Sequence, residues 1–133
     1  MSTTLSPLPP IDHPAFDAFL AELPQPEAAV LGDAAPLLGP LLQAAPYLLD
    51  LAHTHAGWLA KALAAGPDAA FATLLDEVAE AGRTTGEDQV AQVLRAAKGR
   101  TALLAAVAET GGAWSTARAT EALSDLADAA LEA

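Results

Sequence analysis

The stretch from Thr84 to Gly112, TTGEDQVAQVLRAAKGRTALLAAVAETGG, decides the fold. Val90, Val93, Leu94, Ala97, Thr101, Leu104 and Ala108 keep to one face of a helix of about 3.6 residues per turn. Thr85 and Asp88 approximate a capping box, with aspartate in place of the usual glutamate. Gly111-Gly112 ends the run. Gly99 lies inside it, where glycine costs up to about 1 kcal/mol relative to alanine. It permits close helix packing or marks a kink.

Working outward, the same period continues on both sides. Downstream, Ser115 is placed to cap a last helix whose inward residues are Leu123, Leu126, Ala127, Ala130 and Leu131. This helix closes on TEALSDLADAALEA with no glycine, proline or basic last turn. The expectation is a helix cut short of a domain it packs against, through Leu123, Leu126 and Leu131. Upstream, Pro67 fits a first helical position, and Phe71, Leu74, Leu75 and Val78 form a stripe that Gly82 should stop. PYLLDLAHTHAGWLAKALAAG reads as two short helices meeting near Thr54, with Gly66 as the stop. Asp33 is a candidate cap for a helix carrying Leu37, Leu38, Leu41 and Leu42, which Pro40 should kink. Asp12 is a candidate cap for a short helix through Phe16, Phe19 and Leu20, ended by Pro24. Residues 1–10 read as a disordered tail and 11–133 as one helical domain.

Nine of the ten prolines lie at or before Pro46, so a punctuated first third precedes a helical remainder. No run of alternating β-branched and aromatic residues reads as a strand. The fold class is all-α: an irregular bundle of about six helices with a proline-rich N-terminal segment. Trp58, Trp114, Phe71 and Tyr47 are the expected large core residues.

Composition narrows the function. Six Lys and Arg face 17 Asp and Glu, for a net charge of -11, which argues against nucleic acid and anionic membranes as partners. With no cysteine there is no disulfide, thiolate metal site or cysteine nucleophile. The longest uncharged region carries three prolines and a glycine and falls short of the ~20 apolar residues of a membrane span. The first ten residues lack the basic and apolar regions of a signal peptide. A cytoplasmic location is the default.

No catalytic constellation emerges. His53 and His55, near Asp50, lack the i, i+4 spacing of a helical zinc pair. His13, before Pro14, reads as structural. Ser115 and Ser124 have no nucleophile elbow, and neither glycine-rich phosphate loop is present. Asp125 and Asp128 read as solvated charges. The basic residues Arg95, Lys98 and Arg100 are a local reversal of charge. They are candidate contacts to an acidic partner or a nucleotide phosphate, or they pair within their helix, Arg95 with Asp88.

The run VLRAAKGRTALLAAVAETGGAWSTARATEALSDLADAALEA resembles the helical region preceding the nucleotidyltransferase domain of glutamine synthetase adenylyltransferases, the bifunctional adenylyl-transferring and adenylyl-removing enzymes. Leu94, Arg95, Lys98, Arg100, Leu103 and Leu104 carry it, followed by Gly112, Trp114, Thr120 and the run from Ala122 to Leu131. APYLLDLAHTHAGWLAKAL extends the likeness upstream, to cover residues 45–133. Thr101-Ala102 and the turn STARAT depart from the pattern.

The resemblance implies a full-length enzyme that uses magnesium and ATP to transfer AMP to a tyrosine of glutamine synthetase, and removes it by phosphorolysis. It implies regulation of nitrogen assimilation through a PII-type signal protein and glutamine. It places this chain as the N-terminal lead-in to a nucleotidyltransferase domain, with no catalytic, cofactor or metal residue of its own. The other reading of the residues is a free-standing acidic helical interaction module that binds a basic partner.

Overall fold

The computed structural model describes residues 13–84 and 86–132 and is all-α, with eight helices among the described residues. They are α1 (Pro14–Ala21), α2 (Gln25–Asp33), α3 (Ala35–Ala44), α4 (Pro46–Thr54), α5 (Ala56–Ala65), α6 (Pro67–Thr84), α7 (Glu87–Thr110) and α8 (Thr116–Glu132). Prolines open α1, α2, α3 and α4 in their first turns, where the missing N–H breaks no intrahelical bond.

Local chemistry sets the ends. Gly66 (φ +95°) closes α5 by donating its N–H to Ala62 at 2.9 Å. Its own carbonyl accepts from Ala70 at 3.0 Å, so one left-handed glycine joins α5 to α6. Gly112 (φ +81°) turns the chain after α7, and the Trp114 N–H reaches back to the Ala108 carbonyl at 3.0 Å. Ser115 caps α8: its Oγ accepts from the Arg118 N–H at 3.0 Å. The α1 start has no side-chain cap of its own. Instead Gln43 Oε1, from α3, accepts from the N–H groups of Ala15 (2.9 Å) and Phe16 (3.4 Å).

The helices bury two adjoining cores. Phe16, Phe19, Leu31, Leu38, Leu42 and Leu59 fill the first, and Phe71, Leu74, Val78, Trp114, Ala122 and Leu126 fill the second. α7 serves both. Leu103 and Val107 point into the first core; Ala97, Leu104 and Ala108 point into the second. Trp58, half-buried, packs against each. Phe71 and Trp114 meet edge-on, ring centroids 5.9 Å apart, and Trp114 Nε1 donates to Asp68 Oδ1 at 2.9 Å. That bond fixes the α7–α8 turn to the start of α6.

Several expectations are corrected. Eight helices stand where about six are expected, and the one that the sequence reading leaves out is α2, after Pro24. Asp33 is the last residue of α2 and not the cap of α3; only Ala34 separates the two helices. Gly82 does not stop α6, which runs on to Thr84. There the Thr84 hydroxyl donates to the Glu80 carbonyl at 2.8 Å and Arg83 pairs with Glu80 at 2.7 Å, which offsets the cost of an exposed glycine. Gly86, not Thr85, takes the N-cap position of α7; Thr85, Asp12 and residues 1–10 lie outside the described residues. Tyr47 is 65% exposed, because α4 turns Leu48, Leu49, Leu51 and Ala52 toward the first core and leaves Tyr47 on its outer side.

Truncating Phe71 to alanine should therefore cost about 3–5 kcal/mol, while Tyr47→Ala should stay within about 0.5 kcal/mol of wild type. Urea unfolding followed by circular dichroism checks both; equal losses would contradict the burial pattern.

Candidate functional site

Arg95, Lys98 and Arg100 are neighbours in sequence but not in space. Arg95 and Lys98 share the outer face of α7, exposed, with no ion-pair partner among the described residues. The anticipated pairing of Arg95 with Asp88 is absent. Arg100 points the other way. Its Nε donates to His55 Nδ1 at 3.2 Å, its Nη1 lies 4.0 Å from Glu77 Oε2, and its guanidinium stands 5.7 Å from the Trp58 ring centre.

Gly99 explains how α4 and α5 come so close. A Cβ there would sit 3.0 Å from Leu51 Cδ2 and 3.3 Å from His55 Nε2. The bare backbone of α7 thus accepts Leu51 and His55 against it, and Arg100 reaches the imidazole from the next position. The same device recurs at Gly39, where a Cβ would meet His13 Cδ2 at 2.9 Å, so the His13 ring lies on α3 as a packing group.

Glu77 and Arg100 border two clefts. One, of about 330 Å³, runs between α6 and α7 over Leu74, Val78, Val93 and Ala97. The other, of about 460 Å³, opens over Trp58, Ala62 and Thr73, with Glu27 and Lys61 at its edge. Both are shallow, floored by apolar side chains and edged by charges of both signs. They hold no pairing of nucleophile with base. Among the described residues no three histidine, aspartate or glutamate side chains converge as a metal site.

His55 is the titratable group the geometry perturbs. Partial burial, and then the Arg100 charge beside it, hold its pKa below the ordinary value of 6.5. His53 stands apart, edge-on to Phe19 with ring centroids 4.8 Å apart and 4.0 Å from Glu22.

Sequence reasoning missed Arg118. It lies 4.8 Å from the Trp114 ring centre and 5.4 Å from that of Phe71, and it pairs with Glu121 (3.2 Å) and Asp125 (3.6 Å). The spacing Trp114, Arg118, Glu121, Asp125 is the signal that could have found it. Asp125 is therefore an ion-pair partner, whereas Asp128 is exposed without one among the described residues. The three leucines of α8 divide: Leu126 is buried in the second core, while Leu123 is 45% and Leu131 86% exposed.

A protein from Xanthobacter autotrophicus described as a bifunctional glutamine synthetase adenylyltransferase/adenylyl-removing enzyme is 34% identical over 133 residues, all of this chain and 13% of that protein. The chain belongs to the glutamine synthetase adenylyltransferase family. A Rhodopseudomonas palustris protein of the same description is 39% identical over 80% of the chain and 11% of its own length. One from Bradyrhizobium diazoefficiens is 32% identical over 92% of the chain and 13% of its own length. The chain thus spans about an eighth of the adenylyltransferases it matches. No family model and no solved structure matches it. Among the described residues no helix is long and apolar enough to cross a membrane.

The lowered His55 pKa fixes the sign of a pH effect. The unfolded chain takes up the His55 proton more readily, so stability is lost as pH falls below about 6.5 toward the folded-state value. Melting temperatures at about pH 7.5 and pH 5.5 should show a larger loss in wild type than in His55→Gln. An unchanged difference between the two proteins at both pH values would contradict it.

Proposed function

We propose that this chain is the N-terminal helical portion of a bifunctional glutamine synthetase adenylyltransferase/adenylyl-removing enzyme, and that it does no chemistry itself. The observation that carries the reading is identity along the entire chain to an eighth of a far longer enzyme. The titratable contacts that the structure does show brace helices: Arg100 with His55 and Glu77, and Arg118 with Glu121 and Asp125. Its work is packing: a rigid acidic platform on which a nucleotidyltransferase domain of the same polypeptide rests.

On this reading the chemistry belongs to the whole enzyme. That enzyme transfers AMP from ATP, with magnesium, to glutamine synthetase in the cytoplasm and removes it again. PII-type signal protein sets the direction, and nitrogen assimilation follows.

Two measurements test this. The coding sequence beyond codon 133 should continue in frame into a Gly-Ser followed by spaced aspartates; a stop codon there would favour the free-standing interaction module. The 133-residue chain incubated with labelled ATP, magnesium and glutamine synthetase should transfer no label, and any transfer would overturn its inert role.

A further inference from the structure

The outer surface along which α7 and α8 adjoin brings together two features that are separate in sequence. α7 and α8 run antiparallel from the Gly112 turn, so Arg95 and Lys98 stand level with the last turns of α8. On α7, the residues facing α8 and the core are Ala97, Thr101, Leu104 and Ala105, all buried. Lys98 flanks that face on the side turned away from α6. On α8, Arg118 marks the opposite edge, since it stacks on Phe71 of α6. Helical spacing then puts Leu123, Ala127 and Ala130 on the edge nearest Lys98, with Leu131 just beyond. The carboxylates of Glu121 and Asp125 fall on the opposite edge, beside Arg118, while the exposed Asp128 lies one turn from Leu131 on the outer face.

The result is an apolar strip, with Leu123 45% and Leu131 86% exposed, bordered by two cations that have no ion-pair partner among the described residues. In a chain of net charge -11 this is a patch of inverted sign. We infer that it docks an amphipathic helix whose apolar face covers Leu123 and Leu131 and whose carboxylate-bearing edge meets Arg95 and Lys98. The remaining length of the same polypeptide supplies that helix. This deepens the packing role proposed above and rests on it. Charge complementarity selects the occupant: a basic helix is drawn to the rest of this surface but repelled here. A second copy of the chain is the competing occupant.

Two synthetic helical peptides of about 20 residues provide the test, sharing one leucine stripe and flanked either by glutamates or by lysines. Titrated into the isotope-labelled chain, the glutamate peptide should shift the amides of Arg95, Lys98, Leu123 and Leu131. It should bind about tenfold more tightly than the lysine peptide at this face, against the overall charge. The double variant Arg95→Glu, Lys98→Glu alters only exposed positions, so it should keep the melting temperature and lose that preference. Equal or tighter binding of the lysine peptide at these amides overturns the inference, as do shifts elsewhere or a double variant that still prefers glutamate. Concentration-dependent dimers in sedimentation that Leu131→Ser abolishes would overturn it in favour of a second copy. A stop codon after residue 133 together with tight glutamate-peptide binding would remove the parent-enzyme reading and the source of the helix, while keeping the surface chemistry. A continued frame with no peptide binding would remove this inference alone.

Discussion

The structure depends on α7 burying two faces at once. A surface helix of a small domain usually hides one apolar stripe. Here Ala97, Leu104 and Ala108 serve one core and Leu103 and Val107 the other, so α7 is the shared wall of both. Gly99 makes this possible at the level of α4 and α5, because any side chain there would press on Leu51 or His55. The cost of a glycine in mid-helix, up to about 1 kcal/mol in an exposed setting, is offset by the contacts that close approach allows.

Electrostatics follows the same economy. With six cations against 17 carboxylates, a cation placed inward has a specific structural role. Arg100 braces α5 and α6 to α7 through His55, Glu77 and Trp58. Arg118 holds α8 on Trp114 and Phe71 while pairing with two acids of its own helix. Guanidinium suits both positions, since it stacks flat on aromatic rings and keeps its edge for acceptors. Exposed pairs such as Arg83–Glu80 add only about 0.2–1 kcal/mol and set no geometry.

What was legible in the sequence was what is local. α7 and α8 carry long periodic stripes, and the glycines of positive φ mark turns directly, Gly66 between α5 and α6 and Gly112 between α7 and α8. α2 escaped because its nine residues lie between prolines, with Val30 and Leu31 as its larger apolar side chains. Tyr47 was misplaced because size suggests burial, whereas its position on the outer side of α4 decides exposure. The division of Arg100 from Arg95 and Lys98 is implicit in helical spacing, but the partners of Arg100 lie 45 residues away in sequence, at His55, and nothing local points to them. The same holds for the Trp114–Asp68 bond, across 46 residues. The family resemblance was legible through short ordered motifs, and relatives 32–39% identical bear it out.

One shared helix, α7, borders both cores. The most direct test of that architecture is native-state hydrogen exchange on wild type and on Leu103→Ala. Leu103 contacts the first core only. If α7 unites both cores, the slowest amides of α3 and of α8 open with the same free energy, and the substitution lowers both by the same amount, about 2–5 kcal/mol. Loss of protection in α3 with α8 unchanged would show two independent halves and contradict the account.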